Sequence, residues 1–279
     1  MSTRMMVAVF DGSQNQTKTE LATRWAQRLD GTIAGFGVVD ESIWTPAPTL
    51  ANSTVPLPMN QYDNAMIARA KKHVEQSLSQ LENYCKQAGV EYQRIQVEGS
   101  PHENILVEAQ GYDLVLLGKQ TTADPGMGVP ARTILENLLR HSPRPILVVP
   151  DGFDKGQGIL VAYDGSLQSA RALQALVASG MYGLGEIMAL SVDGESQENA
   201  DTNATRAVEY LAAHGIKAKK QIKVSDQSAG QVIVDEAQRQ GAEMIVMGAY
   251  GRSQLVEFFL GSTTSKVIDE SSVPVFLFH

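Results

Sequence analysis

The chain has little cysteine and little positive charge. Cys85 is the only cysteine among 279 residues, which excludes a disulfide framework and a thiolate metal cluster. Its surroundings predict a small buried hydrophobe in a helix. Lysine and arginine number 23 against 31 acidic residues, so the net charge is −8. That charge argues against nucleic acid or an anionic membrane surface as the main partner.

Long apolar runs are also missing. No segment approaches the length of a membrane span, and the short apolar run near the amino terminus indicates a strand rather than a signal sequence. We therefore expect a cytoplasmic protein without membrane contact. The length favours about two domains, and the 43% of hydrophobic residues can supply their cores.

The residue patterns of several enzyme classes are absent from the sequence. It contains neither the G-x4-G-K-[ST] pattern of P-loop NTPases nor the G-x-S-x-G pattern of serine hydrolases. The five histidines are scattered without metal-ligand spacing: His73, His102, His141, His214 and His279. No general base is positioned beside the glycine pattern described next. The sequence thus predicts no catalytic residue and no protein-held metal.

A glycine pattern is the most informative feature that is present. Gly248, Gly251, Gly261 and Ser262 follow the apolar run 244–247 with the spacing G-x2-G-x9-G-[ST]. Glycine lets a main chain approach a bulky anion and adopt positive φ. Ser262 then opens a predicted helix over 263–270, whose free N–H groups and dipole favour negative charge. The pattern predicts a phosphate-binding loop, with a glycine-rich connection that binds nothing as the alternative.

The two halves of the chain repeat each other. Three segments of the first half recur in the same order in the second: 7–13 as 161–166, 112–118 as 242–248, and 144–149 as 273–278. Conserved order indicates an internal duplication of a unit of about 140 residues. A Gly- and Asp-rich stretch over 151–158 predicts the linker between the copies.

Each copy alternates apolar strand runs with helical patterns. In the second copy, the predicted strands are 158–163, 187–192, 219–224, 243–247 and 275–278. The predicted helices there are 169–179, 200–214, 228–240 and 263–270. Continuous apolar runs predict a parallel sheet with helices on both faces. Ligands of such sheets bind beyond the carboxyl ends of the strands, where we expect Asp164, Val192 and Gly248 to meet.

These motifs together resemble the universal stress protein family. The resemblance rests on Val-Ala-Tyr-Asp-Gly-Ser at 161–166, on the glycine pattern and on Val-Pro-Val at 273–275, and it covers nearly the whole chain as two tandem copies. It implies an α/β fold in which each copy is an open, doubly wound, five-stranded parallel sheet with flanking helices, like the adenine nucleotide alpha hydrolases. The implied domains are 1–150 and 157–279. The implied ligand is ATP, or AMP or ADP, with or without Mg²⁺.

The resemblance also implies which residues bind the nucleotide. The predicted set comprises Ala162, Tyr163, Asp164, Val192, Met247, Gly248, Gly251, Arg252, Gly261, Ser262 and Thr263. Asp164 and Val192 would hold the adenine and ribose, and the glycines with the two hydroxyl residues would surround the phosphates. Arg252 is included because a cation inside the loop could pair with a phosphate oxygen; a solvated side chain is the alternative. For Asp164 the alternative is a capping role in the Asp-Gly-Ser turn.

The first copy departs from the pattern at its phosphate end. Gly118 keeps the first glycine, but Thr121, Ala131 and Arg132 stand in place of the other two glycines and the hydroxyl. Asp11, the counterpart of the strand-end aspartate, remains. We therefore expect one nucleotide per chain, bound by the second copy. The alternative to this asymmetry is that Arg132 attracts an anion to the first copy.

The first copy also carries a long insert over 40–63, rich in Pro, Thr and Asn. Its composition predicts an irregular loop or a lid over the crevice. Trp44, Pro46 and Pro48 could cover a ligand there, and a packed surface loop is the alternative.

Three functions are compatible with these patterns. The first is a stress-response protein that binds an adenine nucleotide in its carboxy-terminal copy. The second is a nucleotide-independent scaffold that recognises a partner protein or an apolar ligand through the first copy. The third is a slow ATPase or phosphotransferase.

In the resembled family the last strand commonly pairs two units, so we expect 145–149 and 274–278 to lie together within one chain and cover each other's edges. Homodimerisation of the chain is a further expectation.

Overall fold

Apolar, β-branched segments form the strands of both halves, and amphipathic segments form the helices. The computed structural model describes residues 2–9, 16–39, 61–119, 131–250 and 261–279. In the first half the strands are β1 Arg4–Val9, β2 Thr32–Val39, β3 Tyr92–Glu98, β4 Leu114–Gly118 and β5 Ile146–Val149. The helices are α1 Gln16–Arg28, α2 Gln61–Ala88, α3 Pro101–Glu108 and α4 Ala131–His141.

The second half repeats this order. Its strands are β6 Ile159–Ala162, β7 Ile187–Asp193, β8 Ala218–Val224, β9 Met244–Gly248 and β10 Val275–Phe278. Its helices are α5 Leu167–Ala178, α6 Gln197–Ala213, α7 Ala229–Gln240 and α8 Ser262–Glu270. In the described ranges, no helix combines the length and the apolar character needed to span a membrane.

All ten strands form one sheet in the order β3-β2-β1-β4-β5-β10-β9-β6-β7-β8. Pairing is parallel within each half. The halves join where β5 and β10 pair antiparallel, with Val148 opposite Val275 and Ile146 opposite Leu277. The α/β fold with five parallel strands per copy is confirmed, and so is the intramolecular pairing of the last strands. This pairing removes two sheet edges that would otherwise be open.

The core lies on both faces of the sheet and runs through both copies. Successive side chains of a strand point to opposite faces, so Met5 and Val7 of β1 join one apolar cluster while Met6 and Ala8 join the other. Both clusters also contain residues of the second half. The largest buried side chain in the cluster that contains Met5 and Val7 is Trp25 of α1, which is fully buried. Because burial on both faces favours apolar residues, the eight inner strands are mainly apolar. The edge strands β3 and β8 carry several polar residues and are only partly buried.

Serine caps move two helix starts away from the predicted positions. α5 begins at Leu167 instead of 169, because Ser166 is the N-cap and its side chain accepts a hydrogen bond from the Ser169 N–H. α6 begins at Gln197 instead of 200, because Ser196 accepts from the Asn199 N–H in the same way. An N-cap oxygen satisfies an amide that has no partner inside the helix. The periodicity of apolar residues begins only after the first turn, so it placed both starts too late.

The insert of the first copy is shorter than predicted. Residues 61–63 belong to α2 rather than to an irregular loop. The remainder of the insert, with Trp44, Pro46 and Pro48, lies outside the described residues.

Cys85 of α2 is fully buried, as predicted, and burial raises the pKa of its thiol to about 11.

The environment of Glu236 in α7 should make the free energy of unfolding depend on pH. Its side chain is 4% exposed and accepts hydrogen bonds from Arg239, Gln221 and Gln240. Burial acts to raise its pKa, but these donors outweigh burial and lower the pKa from 4.5 to about 2. Because the folded pKa lies below the unfolded one, this stabilisation is complete above about pH 5 and is lost as the pH falls towards 2. In chemical denaturation between pH 6 and 3, Glu236→Gln should flatten the pH dependence, whereas Asp235→Asn, at an exposed neighbour, should retain it.

Candidate functional site

A pocket of about 270 Å³ opens beyond the carboxyl ends of β6, β7 and β9. Nine of the eleven predicted site residues line it: Ala162, Tyr163, Asp164, Val192, Met247, Gly248, Gly261, Ser262 and Thr263. The other two, Gly251 and Arg252, lie outside the described residues. Because the carboxyl ends of parallel strands share one edge of a sheet, segments more than eighty residues apart in sequence meet here.

The first turn of α8 forms the polar end of this pocket. Gly261 is its N-cap, and no side chain of the described residues caps it. By contrast, α5, α6 and α7 are each capped by a serine side chain. The first backbone N–H groups of a helix have no partner within the helix. At α8 those of Ser262, Thr263 and Thr264 belong to residues that line the pocket. An anion placed there would meet free N–H donors and the positive end of a helix dipole.

The backbone of the glycine pattern differs from the expectation of positive φ. Gly261 has φ −56° and ψ 146°, values that any residue adopts. Its lack of a side chain, rather than its backbone freedom, is what leaves space beside α8. Gly248 is needed for close packing instead. A Cβ atom on Gly248 would lie 2.6 Å from the carbonyl carbon of Gln168 and from the nitrogen of Ser169. The first turn of α5 thus rests directly on the end of β9.

Asp164 follows β6 in a tight turn that α6 supports. Its Oδ1 accepts a hydrogen bond of 2.9 Å from the Ser166 N–H, so the capping role considered for this residue is present. Its carbonyl oxygen accepts from Nδ2 of Asn203 at 3.1 Å. Gly165, between Asp164 and Ser166 in the sequence, has a φ of +76°, a conformation that favours glycine. A carboxylate has about four acceptor positions, so capping the turn and contacting a ligand are compatible roles.

The opposite wall of the pocket is apolar. It is formed by Ala162, Leu190, Val192, Ile233 and Met247. Such a surface suits a flat aromatic group, which gains from leaving water. The pocket therefore combines an apolar wall, a carboxylate at one strand end and an anion-compatible helix terminus.

Tyr163 lines the same pocket. Burial is the main reason that its pKa is raised, and the nearby Asp164 carboxylate raises it further against the opposing charge of Arg206. The phenol therefore stays neutral at physiological pH and can donate a hydrogen bond.

Six lining residues were missed by the sequence analysis: Ser166, Ser169, Leu190, Ala229, Ile233 and Thr264. Leu190 had a usable signal, because it lies two positions before Val192 and shares its face of the strand. Ala229 and Ile233 are four positions apart on α7 and so share one helix face. No local pattern singles out Ser169, which reaches the pocket only because α5 packs on β9.

The first copy differs from the second at the corresponding position. When the exposed Glu20 of α1 is aligned with the exposed Arg171 of α5, the fully buried apolar positions 21, 22 and 25 fall opposite the buried positions 172, 173 and 176. Lys18 then takes the place of Ser169. It is 3% exposed, and its Nζ donates to the Ala8 carbonyl oxygen at 2.7 Å. A long cationic side chain thus lies near the carboxyl end of β1, at the position where the second copy has a small hydroxyl.

Other predicted differences of the first copy are described only in part. Ala131 and Arg132 open α4, as their alignment with the start of α8 predicts. Asp11 and Thr121 lie outside the described residues. In the described parts of the chain, no group of three or more histidine, cysteine or acidic side chains could hold a metal ion.

The chain is similar to known proteins in sequence. The model of the universal stress protein family matches residues 1–150 and again 157–279. Universal stress protein Slr1230 of Synechocystis sp. is 29% identical over 205 residues, which cover 72% of this chain and 70% of that protein.

A solved structure shares the fold over the whole chain. A universal stress protein of Archaeoglobus fulgidus DSM 4304 covers 100% of this chain and 98% of its own, with 22% identity and a TM-score of 0.70. A shorter universal stress protein of Archaeoglobus fulgidus, solved in complex with dAMP, covers 44% of this chain and 98% of its own, with 21% identity and a TM-score of 0.37.

Proposed function

The chain belongs to the universal stress protein family, and from this premise we propose that it acts in stress response by binding an adenine nucleotide in its second copy. ATP is the proposed ligand, with AMP and ADP as related candidates and Mg²⁺ as a companion of the phosphates. In this proposal, residues 157–279 form the nucleotide-binding domain, and residues 1–150 form a domain whose binding motif is degenerate.

One observation carries the proposal. Nine of the residues that the family resemblance implies line one pocket, together with the first turn of α8, which no described side chain caps. A glycine-rich connection without a ligand would not require an apolar wall, a carboxylate and free helix amides to converge. The convergence therefore favours a bound molecule that has an aromatic part and an anionic part.

The chemistry of the lining fits the two ends of a nucleotide. The side chain of Asp164 can accept hydrogen bonds from ribose hydroxyls or an amino group. The wall that includes Val192 and Ile233 can cover the adenine ring. At the other end, Gly261 leaves space beside the amides of Ser262 and Thr263, which can donate to phosphate oxygens.

We propose binding rather than efficient hydrolysis. Among the described lining residues Asp164 is the only carboxylate, and histidine and lysine are absent from that lining. Asp164 follows β6 and is engaged by the Ser166 N–H, whereas the amides proposed for phosphate belong to α8. Activation of a water for attack on phosphate needs a base within hydrogen-bond reach of it, and the described lining supplies none at α8.

Small molecules released from the purified, denatured protein would test the proposal directly. Mass spectrometry should identify an adenine nucleotide, and calorimetric titration of nucleotide-free protein with ATP should give a stoichiometry near one per chain. Protein that releases no nucleotide and gives no heat with ATP, ADP or AMP would contradict nucleotide binding and would favour the scaffold hypothesis.

The two strand-end aspartates supply a matched pair of variants. Asp164→Ala should weaken ATP binding at least tenfold, about 1.4 kcal/mol, because it removes the acceptor proposed for the ribose end. Asp11→Ala, at the corresponding sequence position of the first copy, should change the dissociation constant by less than about twofold. Equal effects of both variants, or two equivalent sites per chain, would show that the assignment to the second copy is wrong.

A further inference from the structure

Tyr250, two residues after the end of β9 in the second copy, contacts a helix of the first copy. Tyr250 lies two positions after Gly248, and its hydroxyl donates to the carbonyl oxygen of Glu136 in α4 at 3.0 Å. The guanidinium of Arg140, one turn further along α4, lies 5.6 Å from the centre of the Tyr250 ring. This geometry is within the range of a cation–π contact. The chain leaving β9 is therefore attached to a helix of the other copy.

The backbone at Tyr250 shows that this attachment determines the local conformation. Its φ is +60°, in the left-handed region, which costs a residue other than glycine about 1 kcal/mol or more. Such a conformation persists only where surrounding contacts hold it. The hydroxyl bond and the arginine contact are the described interactions that do so. The preceding residue, Ala249, is held as well, because its N–H donates to the Phe278 carbonyl oxygen at 2.8 Å.

The reverse connection runs from the first copy to α8. Lys119 follows the end of β4, and its Nζ donates to the carbonyl oxygens of Asp269 and Ser271 at 2.7 and 3.3 Å. These carbonyls lie at the carboxyl end of α8, where an ammonium satisfies unpaired acceptors and complements the helix dipole. Since the amino end of the same helix lines the pocket, Lys119 holds the far end of the element proposed to bind phosphate.

We infer that the first copy positions the phosphate end of the second copy's site through Tyr250 and Lys119. The inference rests on the proposed function. Tyr250 is fixed two residues after Gly248, the end of β9 that lines the pocket. Lys119 fixes the carboxyl end of α8, and the first turn of the same helix carries the proposed phosphate donors.

The first copy also contacts α5, because Oγ1 of Thr3 donates to the Ser179 carbonyl oxygen at the carboxyl end of that helix at 2.8 Å. Asp164 at the adenine end, by contrast, is held by Ser166 and Asn203 of the second copy itself. A copy that lacks two of the three glycines thus acts as a support for the copy that has them.

This arrangement makes the two ends of the ligand respond differently to substitution. Helix amides bind phosphate well only if α8 is held at the correct position, because small misplacements weaken preorganised hydrogen bonds. Loss of either support should therefore weaken ligands that carry phosphate. Adenosine, which lacks phosphate, should bind as before.

The experiment compares ATP with adenosine in the full chain. Calorimetric titration should give the dissociation constant of ATP, and displacement of ATP should give that of adenosine. Tyr250→Phe removes one hydroxyl and keeps the ring beside Arg140. Lys119→Met removes the ammonium and keeps a side chain of similar length. We expect each variant to weaken ATP about fivefold and adenosine less than about twofold. Lys119→Arg keeps a charged donor and should bind ATP nearly as well as the wild type.

Matched controls separate positioning from general loss of structure. Tyr112→Phe removes a phenol hydroxyl beside a different arginine, because Arg4 lies 5.0 Å from that ring. Lys219→Met removes a surface ammonium that pairs with Glu186. Both controls should leave both ligands unchanged, and thermal unfolding should show that all variants are folded.

The possible outcomes distinguish the two proposals. Wild-type protein that binds ATP, together with variants that bind it equally well, would overturn the positioning role and leave nucleotide binding in place. Equal weakening of ATP and adenosine would also overturn it, since that pattern indicates damage to the whole pocket. Wild-type protein that binds neither ligand would remove the proposed function itself, and the positioning role with it.

Discussion

Replacing Gly261 with valine is expected to weaken ATP binding at least tenfold, about 1.4 kcal/mol, while the fold survives. Gly261 lines the pocket at the start of α8, so a β-branched side chain there would fill space proposed for phosphate and keep the ligand from the helix amides. Its φ of −56° and ψ of 146° are compatible with valine. The loss of affinity should therefore arise in the pocket rather than from backbone strain.

The measurement is calorimetric titration of ATP, accompanied by thermal unfolding. A small loss of stability is expected, because valine is a poor helix N-cap. Gly111→Val is a matched control, since Gly111 lies in the first half and a Cβ atom there would meet nothing within 4 Å. A folded Gly261→Val variant that binds ATP like the wild type would exclude the start of α8 as the phosphate site.

Replacing Glu243 with alanine is expected to destabilise the protein by about 3 to 5 kcal/mol. Its side chain is 1% exposed and lies just before β9, where it joins three segments of the chain. Oε1 accepts from Nη2 of Arg24 at 3.0 Å and from Nε1 of Trp25 at 2.5 Å, both in α1 of the first copy. Oε2 accepts from the Gly156 N–H of the linker at 2.6 Å. Alanine would leave the buried Trp25 N–H without an acceptor and would remove the partner of the partly exposed Arg24 and Gly156 donors.

Chemical denaturation of wild type and variant would give the difference in the free energy of unfolding. Glu243→Gln should have an intermediate effect, because one amide oxygen remains as an acceptor while the amide nitrogen would face another donor. Glu186→Gln is the control, since it removes the charge of an exposed carboxylate paired with Lys219; surface pairs contribute at most about 1 kcal/mol. A loss below about 1 kcal/mol in Glu243→Ala would show that this carboxylate does not hold the two copies together.

The residues of the candidate pocket were predictable where a local pattern marked them. Asp164 belongs to an Asp-Gly-Ser turn, Gly248 and Gly261 belong to a spaced motif, and Val192 ends an apolar run. The pattern that marks each of these residues is formed by its neighbours in the sequence. Of the two reasons assigned to the glycines, positive φ was wrong for Gly261, since its φ is negative. Spacing alone does not distinguish the absence of a side chain from the freedom of the backbone.

Ser169 and Lys18 could not be predicted, although they distinguish the two copies. Both lie on helices whose apolar periodicity indicates a buried face, but periodicity does not show which strand end that face covers. Ser169 becomes part of the pocket because α5 rests on Gly248. Lys18 is buried in the first copy, where its ammonium donates a hydrogen bond to the Ala8 carbonyl oxygen. A buried charge is tolerated only with such partners, and partners become visible only in the folded chain.

By itself, the sequence of this protein determined the duplicated α/β fold, the order of its strands and helices and most of the pocket lining. These features follow from hydrophobic periodicity, from turn residues and from a motif, all of which act over short distances along the chain. Tertiary structure alone decided how the copies support each other. Glu243 bonds α1 across 218 residues, Lys119 reaches α8 across 150, and Tyr250 reaches α4 across 114. Pairs so distant in sequence meet only because the sheet and its helices have already packed, and no local pattern records that geometry.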